Sequence, residues 1–390
     1  MRIAQVVASY YPSIGGVQTH VHHLAQGCAN AGDEVTILTH QTGNAPAEDH
    51  VGKVRILRFP LTVGLRNFPF SLRLFRYLAS HAGDFDIVHA HSYHTVVGHA
   101  GASSTLPFIF TPHYHGSGHT GFRTLLHGLY YPAGRRVVRR ADALICVSEA
   151  ERRLILEHFS VESSKMFVIP NGTDSSGLSH REDRAAANVP MVLSVGRLER
   201  YKNVDLIIDA FRAVALPARL VVVGDGPDRR RLEEAARDED RSQPVLFAGR
   251  VSDSALSRLL GEATVVVSAS DHEAFGLSVA DGLAAGASVV ASAIPTHVEI
   301  ASMAGAHAPI VLVDPRDRQA FAAALSASIC MDRGGSEPVR LPSWAEVVDA
   351  TRRLYGLACS ERGSPRERES VAVPRQGAST PVTQASAEPV

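Results

Sequence analysis

The residues best suited to chemistry lie together in the stretch 270–281, which reads Ser-Asp-His-Glu-Ala-Phe-Gly-Leu-Ser-Val-Ala-Asp. It follows a β-branched run that predicts a strand, and its own spacing predicts a helix beginning near Phe275 or Gly276. Glu273 then stands just before the helix, and Asp281 lies about two turns inside it. Free amides at such a helix start favour a phosphate, and Glu273 is placed to bind a polyhydroxyl ring. The alternative is that Glu273 only caps the helix and complements its dipole.

Three glycine-bearing turns lie where a predicted strand passes into a predicted helix. They are Gly15-Gly16, Gly196-Arg197 with Lys202 shortly after, and Gly224-Asp225-Gly226. Each offers backbone N–H groups to an anion, and the two cations of the second turn are able to neutralise a diphosphate. The chain has no Walker A lysine motif, and its first turn does not complete G-x-G-x-x-G. Simple turn geometry and a solvated charged face are the alternatives.

The elements that must position these residues alternate along the chain. Short β-branched runs and longer amphipathic stretches follow one another, which indicates an α/β protein with helices on both faces of parallel sheets. We expect two doubly wound, Rossmann-like domains, at residues 1–185 and 186–345, whose strand ends face one central cleft. A terminal helix at 343–358 is able to pack on either domain. Residues 360–390 are polar and without apolar periodicity, which predicts a disordered tail.

Thirteen strands and one early helix are predicted individually. The helix runs from about Val17 to Ala31, with Leu24, Cys28 and Ala31 inward, and Gly32 ends it. The predicted strands are Ile3 to Ala8, Glu34 to Thr39, Val54 to Phe59, Ile87 to Ala90, Phe108 to Thr111, Ala143 to Val147, Met166 to Ile169, Met191 to Val195, Arg219 to Val223, Val245 to Ala248, Val265 to Ser268, Ser288 to Ser292 and Ile310 to Val313.

Composition limits the class of partner. The 390 residues include 39 Lys plus Arg against 40 Asp plus Glu, a net charge of −1 that argues against a nucleic-acid partner. Only Lys53, Lys165 and Lys202 are lysines, and 16 of the 19 histidines lie at or before His180. The first apolar run is too short for a signal peptide, and no window approaches the ~18 apolar residues of a membrane span, so a cytoplasmic protein is expected. The four cysteines are far apart and are expected in the core.

The motifs in this order resemble the retaining GT-B glycosyltransferases of family 4, whose second half is the glycosyl-transferase group 1 domain. The likeness covers roughly residues 1–358. The matching pieces are Pro12 to Gly16, His89-Ala-His91-Ser92, His113, Val147-Ser148-Glu149, Ile169-Pro170-Asn171-Gly172, Gly196-Arg197-Leu198 with Lys202-Asn203, Gly224-Asp225-Gly226-Pro227, and Glu273-Ala-Phe-Gly-Leu277. Their order and strand context make the match specific.

This resemblance implies transfer of a sugar from a nucleoside diphosphate sugar to an acceptor hydroxyl with retained configuration. It places the donor on the second domain and the acceptor on the first. Glu273 is then a catalytic residue on the sugar hydroxyls, Arg197 and Lys202 are catalytic cations on the diphosphate, and His113 lies near the C6 hydroxyl of the sugar. The donor-binding residues that it implies are Gly15, Gly16, Gly224, Arg250, Val251, Phe275, Gly276, Leu277 and Asp281.

Two positions depart from the family pattern. Asp281 stands where the family usually has Glu, and its carboxylate is one methylene short for the ribose hydroxyls. A lost charged hydrogen bond costs about 1.5–3 kcal/mol. Glu299 lacks the pair of glycines that commonly precedes the matching Glu, so the match there is poorer.

No cofactor is expected beyond the nucleotide-sugar co-substrate, and no metal. The chain has no Asp-x-Asp motif at a strand end to hold Mg²⁺, so activity should survive EDTA. The histidines of the run Thr111 to His119 have loop-like spacing without a nearby acid or thiol, which favours an acceptor loop over a metal site. Further histidines expected to converge on the acceptor side, or else only to line the cleft and helix surfaces, are His89, His91, His94, His20, His22 and His23.

A peripheral membrane contact is one interpretation of two arginine-bearing stretches in the first domain. Phe68 to Leu78 alternates apolar residues with Arg73 and Arg76, and a second cluster of arginines follows at 135–140. Basic, apolar surfaces of this kind dock on anionic membranes. The alternative is a core-facing helix whose arginines are solvated.

The sequence leaves several identities open. The donor is a UDP-sugar or GDP-mannose, and the acceptor is a small molecule, a lipid-linked sugar or a glycan. The rival enzyme is a nucleotide-sugar 2-epimerase of the same fold. A non-catalytic nucleotide-sugar-binding protein is the rival from another class, suggested only by Asp281.

Overall fold

The structure, a computed structural model, describes residues 1–13, 15–65, 68–116, 121–173, 189–237, 244–331 and 339–360. The chain divides into two compact units. One is Met1–Gly172 together with the described residues from Pro342 onward, and the other is Thr173–Leu341. The predicted polar connection with its domain limits at 185 and 186, the predicted tail beyond Ser360, and His119 lie outside the described residues.

The first unit is built on a nearly all-parallel sheet. Its strands, with one separate hairpin of β5 and β6, are β1 Arg2–Val6, β2 Glu34–His40, β3 Glu48–Val51, β4 Val54–Phe59, β5 Val63–Leu65, β6 Phe68–Phe70, β7 Ile87–His91, β8 Phe108–Thr111, β9 Ala143–Cys146 and β10 Met166–Val168. In the described residues the order is β10-β9-β8-β7-β1-β2-β4-β3, and β3 pairs antiparallel with β4. The chain passes from β1 to β2 on one side and later to β7 on the other, so the junction of β1 and β7 is the topological switch point.

Helices cover both faces of this sheet. They are α1 Gly16–Asn30, α2 Leu72–Ser80, α3 Gly98–Ser103, α4 Gly121–Arg140 and α5 Glu149–His158, with 3-10 turns at Ala82–Asp84 and Ser163–Lys165. Successive residues of a strand point to opposite faces, so Ile109 joins the core under α1 while Phe110 joins the core on the other face. Burial on both faces explains why the strands are continuous apolar runs.

The second unit repeats the architecture with a smaller sheet. Its strands are β11 Met191–Val195, β12 Arg219–Val223, β13 Val245–Gly249, β14 Val265–Ser268, β15 Ser288–Ser292 and β16 Ile310–Val313. All described pairings are parallel, in the order β13-β12-β11-β14-β15-β16, so the switch point lies between β11 and β14. The helices are α6 Val204–Arg212, α7 Arg229–Ala236, α8 Asp253–Glu262, α9 Leu277–Ala284, α10 Pro295–Ala304 and α11 Arg318–Cys330, with a 3-10 turn at Arg200–Lys202.

The last helix, α12 Trp344–Cys359, returns to the first unit. A capping box between Ser343 and Glu346 starts it by satisfying free amides. Its buried Leu354 and Tyr355 pack in the same core as α1, and Arg352 donates to Asp33 at 2.6 Å beside the end of α1. The sequence left the domain of this helix open, and these contacts assign it.

The predicted α/β class and the thirteen predicted strands are confirmed, each within two residues. Three strands are missed. The polar strand β3, at an exposed sheet edge, lacks an apolar run, and the hairpin of β5 and β6 is too short to show alternation. The helix α1 ends at Asn30, so Ala31 is an exposed cap residue, not an inward one.

Two finer predictions are wrong, namely the depth of Asp281 in its helix and the burial of two cysteines. Helix α9 begins at Leu277, within two residues of the predicted start, because Gly276 adopts a left-handed backbone with φ 108°. Asp281 therefore lies one turn inside the helix, not two. Cys28 and Cys146 are buried as expected, but Cys330 and Cys359 are exposed. Cys330 is the last residue of α11 and Cys359 is the last residue of α12. At these helix ends both side chains point away from the core.

Candidate functional site

A partly buried ion pair lies beyond the carboxyl ends of β11 and β14, the two central strands of the second sheet. The Lys202 ammonium donates to the Glu273 carboxylate, and Ser270 Oγ donates to the same carboxylate at 2.8 Å. The two charged side chains are only 16% and 15% exposed. Ligands of doubly wound sheets bind at this switch point, so the pair stands where a bound molecule would meet it.

Each charge of the pair keeps the other ionised. Burial opposes the Lys202 charge, but the Glu273 carboxylate outweighs it and holds the pKa of Lys202 above its ordinary value. Burial likewise opposes the Glu273 charge, and the Lys202 ammonium outweighs it and lowers the pKa of Glu273. The site therefore presents a cation and an anion side by side at neutral pH.

The two loops that carry the pair are fastened together by Asn203. Its backbone is left-handed, with φ 48°, and it connects the 3-10 turn of Lys202 to helix α6. Its side-chain amide donates to the Ala269 carbonyl at 3.0 Å and to Asp271 Oδ1 at 2.9 Å. Since Ala269 and Asp271 lie in the loop after β14, the distance between Lys202 and Glu273 is set by hydrogen bonds outside the pair.

A shallow depression open to solvent lies beside the pair and is lined among others by Gly196, Arg197, Lys202 and Ser270. Its floor is formed by the ends of β11 and β14 themselves. Charged and hydroxyl side chains stand there among apolar ones, a mixture that suits a ligand that carries charge and hydroxyl groups.

Glycine allows the loop after β12 to approach the loop after β11. Gly224 has φ 130°, and a Cβ there would lie 1.9 Å from the Gly196 carbonyl oxygen. Gly226 makes a similar approach, with the Leu198 carbonyl oxygen 2.3 Å from where its Cβ would be. Only residues without a side chain permit such contact, so the predicted glycine turn has a structural reason independent of any ligand.

The start of helix α9 follows Glu273 closely. Phe275 is buried at 4% exposure, and Gly276 is the residue before the helix. The amide of Val279 donates to the Gly276 carbonyl at 3.1 Å. The amides of Leu277 and Ser278 start the helix and have no acceptor within it, so they are available to an anion. This agrees with the predicted arrangement of a carboxylate beside a helix start.

His297 is a neighbour of this helix start that sequence reasoning missed as a site residue. A Cβ at Gly276 would lie 3.0 Å from its ring, and its Nδ1 lies 2.9 Å from the Ser292 carbonyl oxygen. Burial lowers its pKa, so the ring is neutral. Its position in the run Pro295 to Glu299 was visible, but no spacing rule connected it to Glu273.

The other predicted residues of the second unit lie at the same edge of the sheet with different exposure. Arg197 is 62% exposed and pairs with Glu199 at 3.0 Å, and Arg250 is 56% exposed and lies 4.0 Å from Asp225. Val251 follows Arg250 and is half-buried, as are Leu277 and Asp281 in α9. Glu299 is half-buried in α10.

In the first unit, three histidines meet at the switch point of the larger sheet. His20 lies in α1, His91 ends β7, and His113 follows β8 with φ 47°. The ring centroid of His20 lies 5.4 Å from that of His91 and 5.0 Å from that of His113. Burial lowers the pKa of His20 to about 4 and those of the other two well below their ordinary value. The predicted convergence of these histidines is present in the structure.

The remaining histidines have other neighbours. His23 stacks on Trp344 with 4.6 Å between the ring centroids, and His94 stacks on His115 with 4.7 Å between them. Nδ1 of His22 lies 2.9 Å from the Tyr10 hydroxyl oxygen. Gly15 caps α1 and Gly16 begins it, beside β1.

The structure gives the first arginine-bearing stretch a place in the core. In α2, Leu74 and Leu78 are buried while Arg73 and Arg76 are exposed. This is the core-facing alternative, and the membrane contact stays a prediction. Among the described residues, no helix combines the length and apolar character needed to cross a bilayer.

Comparison with known proteins gives matches along nearly the whole chain. The model of "Glycosyltransferase Family 4" matches residues 14–176, and that of "Glycosyl transferases group 1" matches residues 177–331. A glycogen synthase of Mycobacterium tuberculosis is 28% identical, over 94% of this chain and 97% of that protein. A phosphatidyl-myo-inositol mannosyltransferase of the same organism is 28% identical, over 91% and 96%.

Solved structures show the same architecture. A sucrose-phosphate synthase from Thermosynechococcus elongatus superposes with a TM-score of 0.68 at 21% identity, over 95% of each chain. At that identity the likeness concerns the fold, two α/β units with parallel sheets.

Proposed function

This chain belongs to the family 4 glycosyltransferases of GT-B fold, and we propose that it transfers a sugar from a nucleoside diphosphate sugar to an acceptor hydroxyl with retention of configuration. The observation that carries the proposal is the partly buried pair of Lys202 and Glu273 at the switch point between β11 and β14. A cation for a diphosphate and an anion for sugar hydroxyls are the two groups that such a donor needs side by side.

Lys202 and Arg197 act on the leaving group. Cleavage of the bond between the anomeric carbon and the phosphate oxygen leaves negative charge on the diphosphate. Preorganised cations and helix-start amides stabilise that charge most where water is excluded, and Lys202 is held in such a place. Arg197 lies on the exposed rim. With these cations the diphosphate needs no divalent ion.

Glu273 positions the sugar. As an ionised carboxylate it accepts hydrogen bonds from sugar hydroxyls, and its contacts with Lys202 and Ser270 fix its direction. The acceptor hydroxyl attacks on the face from which the diphosphate departs, and a diphosphate oxygen takes its proton. Glu273 forms no covalent intermediate in this mechanism.

The nucleotide is proposed to occupy the loops after β12 and β13. The amide of Gly224 donates to the Gly249 carbonyl at 2.8 Å, which joins these two loops. Arg250 and Val251 then meet the base, Asp281 the ribose, and the amides of Phe275, Gly276 and Leu277 the phosphate and sugar. The roles of Gly15, Gly16 and His113 stay predictions from the family resemblance.

The decisive experiment is acceptor-dependent release of the nucleoside diphosphate. A thermal-shift screen with UDP-sugars and GDP-mannose first identifies the donor. UDP or GDP release is then measured without acceptor, with glycogen, and with vesicles containing phosphatidyl-myo-inositol, the two compounds that occur in the names of the relatives. A glycosyltransferase releases the diphosphate only with acceptor. Conversion of the donor sugar without acceptor indicates the epimerase, and a shift without any turnover indicates the binding protein.

A further inference from the structure

The cluster of His20, His91 and His113 has the composition of a metal centre, and we propose that it binds a divalent transition-metal ion of the Zn²⁺ class. One ring nitrogen of each histidine lies within 4.8 Å of those of the other two. The three side chains come from α1, the end of β7 and the loop after β8. The packed sheet therefore gathers them before any ligand arrives.

Each of the three rings has a nitrogen in need of a partner. The side chains are 2%, 0% and 7% exposed, and within the described part of the chain His20 Nε2, His91 Nδ1 and His113 Nε2 have no hydrogen-bond partner. A buried polar atom left in that state destabilises the fold. One ion at the centre of the cluster would satisfy all three atoms.

Neighbouring amides fix the tautomers that a metal requires. Asn171 Oδ1 lies 2.7 Å from His20 Nδ1, and Gln5 Oε1 lies 2.7 Å from His91 Nε2. An amide oxygen only accepts, so those two ring nitrogens carry the protons. His20 Nε2 and His91 Nδ1 are then left with free lone pairs, and a ligand histidine needs this arrangement.

A second layer of hydrogen bonds holds Gln5 in place. Gln5 Nε2 donates to the Tyr355 hydroxyl at 2.9 Å, and that hydroxyl lies 2.6 Å from Nδ1 of His89. The second nitrogen of His89 lies 2.7 Å from Thr111 Oγ1. His89 is therefore fully partnered, so it supports the cluster without being a ligand.

The donor set selects the ion. Three imidazole nitrogens suit Zn²⁺, Co²⁺, Ni²⁺ or Cu²⁺, whereas Mg²⁺ and Ca²⁺ prefer oxygen ligands. Three protein ligands leave a fourth position open for water or a hydroxyl group. This ion is thus different in kind from the Mg²⁺ whose carboxylate motif the sequence lacks.

One consequence rests on the proposed function. An ion held by His113 would occupy the side chain that the family resemblance places near the C6 hydroxyl of the sugar, so Zn²⁺ would lower turnover. This effect is separate from binding, which is measured without any substrate.

The test is a titration of the full chain, freed of metal with EDTA and then dialysed, with Co²⁺ as a visible-light probe. We expect the absorption bands of nitrogen-ligated, four-coordinate Co²⁺, displaced by Zn²⁺. His20→Ala and His91→Ala should abolish them, and Gln5→Met should weaken Zn²⁺ binding about 10- to 100-fold by removing the acceptor of His91.

The control is His40→Gln, which alters a buried histidine of the same unit outside the cluster and should leave the Co²⁺ spectrum unchanged. Circular dichroism in EDTA checks that each variant folds, and His20→Gln, which keeps side-chain bulk, replaces His20→Ala if it does not. Absence of a Co²⁺ spectrum and of calorimetric Zn²⁺ binding in the wild type overturns the proposal. So does Zn²⁺ binding that survives both folded histidine variants.

Discussion

Lys202 donates to Glu273 across 71 positions of sequence, in the second unit, where both side chains are about five-sixths buried. Each charge loses most of its hydration there, so removal of either one leaves the other poorly compensated. The same contact therefore stabilises the fold and prepares the proposed donor site. Variants of the two residues distinguish these contributions, because turnover and the free energy of unfolding are measured separately.

Lys202→Met and Glu273→Gln are each expected to lower turnover by about 100-fold or more, the typical loss for one preorganised electrostatic group. Each also leaves its partner buried and less well paired, which should reduce the free energy of unfolding by about 1–3 kcal/mol. Donor consumption and thermal melting measure the two effects.

The double variant, Lys202→Met with Glu273→Gln, tests whether the two stability losses arise from the same ion pair. It removes both charges, so its loss of stability should be smaller than the sum of the single losses, while its turnover stays low. Arg230→Ala is the control, because Arg230 is 91% exposed in its pair with Glu234. Turnover near the wild-type rate in either single variant would remove that residue from the mechanism.

Chelation should leave turnover intact, since Lys202 and Arg197 supply the positive charge for the diphosphate. The measurement is nucleoside diphosphate release with excess EDTA. After the EDTA is removed by dialysis, addition of Zn²⁺ should inhibit the wild type more strongly than His20→Gln. Complete loss with EDTA, restored by Mg²⁺ or Mn²⁺, would contradict the proposed role of the cations.

Acid should weaken the first unit through His40. Burial lowers the pKa of His40 to about 4 against an ordinary 6.5. Between those values the unfolded chain binds the proton and the folded chain does not, so stability rises with pH and falls on acidification from about 6.5 towards 4. A shift of this size corresponds to about 3 kcal/mol.

Urea unfolding at several pH values between neutrality and pH 4, with EDTA present, checks this dependence. His40→Gln should flatten the curve by the share of one histidine, while His50→Gln, at an exposed position, should not change it. His20, His91 and His113 have lowered pKa values too, so part of the slope should persist. An equal slope in His40→Gln and the wild type would contradict the assignment.

Gly224→Ala should destabilise the second unit severely. Its φ of 130° disfavours any side chain, and its Cβ would collide with the Gly196 carbonyl oxygen. Gly305→Ala is a matched control, because Gly305 also has a positive φ, 90°, but nothing lies within 4 Å of its would-be Cβ. Gly305→Ala should lower the free energy of unfolding by about 1–3 kcal/mol through its backbone conformation alone. Gly224→Ala should lower it further, because it adds the collision. Equal melting temperatures of the two variants would show that the loops after β11 and β12 move apart without loss of stability.

The sequence predicted the sheets well because their strands are buried on both faces. A short β-branched run such as Val265 to Ser268 is stable as a buried strand. Glycine turns also indicated where strands end. Local signals also placed Glu273 before a helix. They could not place Gly276 in a left-handed conformation, which delays that helix by one to two residues, because glycine adopts either hand with similar ease.

Contacts that join distant segments lay beyond local reasoning. Tyr355 accepts a hydrogen bond from Gln5, which is 350 positions away in sequence. No feature of the terminal helix predicts this contact. His20, His91 and His113 were expected at one side of the first unit from strand order alone. Their common centre depends on ring directions set by Asn171 and Gln5, and no spacing in the chain encodes those directions.

Asp281→Glu should strengthen donor binding. Asp281 lies one turn inside α9 and is half-buried, and the family resemblance places the longer Glu side chain there on the ribose. If the additional methylene restores a charged hydrogen bond, the gain is about 1.5–3 kcal/mol, which lowers the donor KM about tenfold or more.

Because the ribose contact is remote from the reacting carbon, kcat should change little, as expected for binding that is equal in the ground and transition states. Steady-state kinetics with the donor varied measures both constants. Asp253→Glu, an exposed acid in the first turn of α8, adds the same methylene away from the site and should alter neither. A donor KM unchanged in Asp281→Glu would show that this position does not contact the ribose, and the nucleotide would then have to be held by the loops of Gly224 and Arg250 alone.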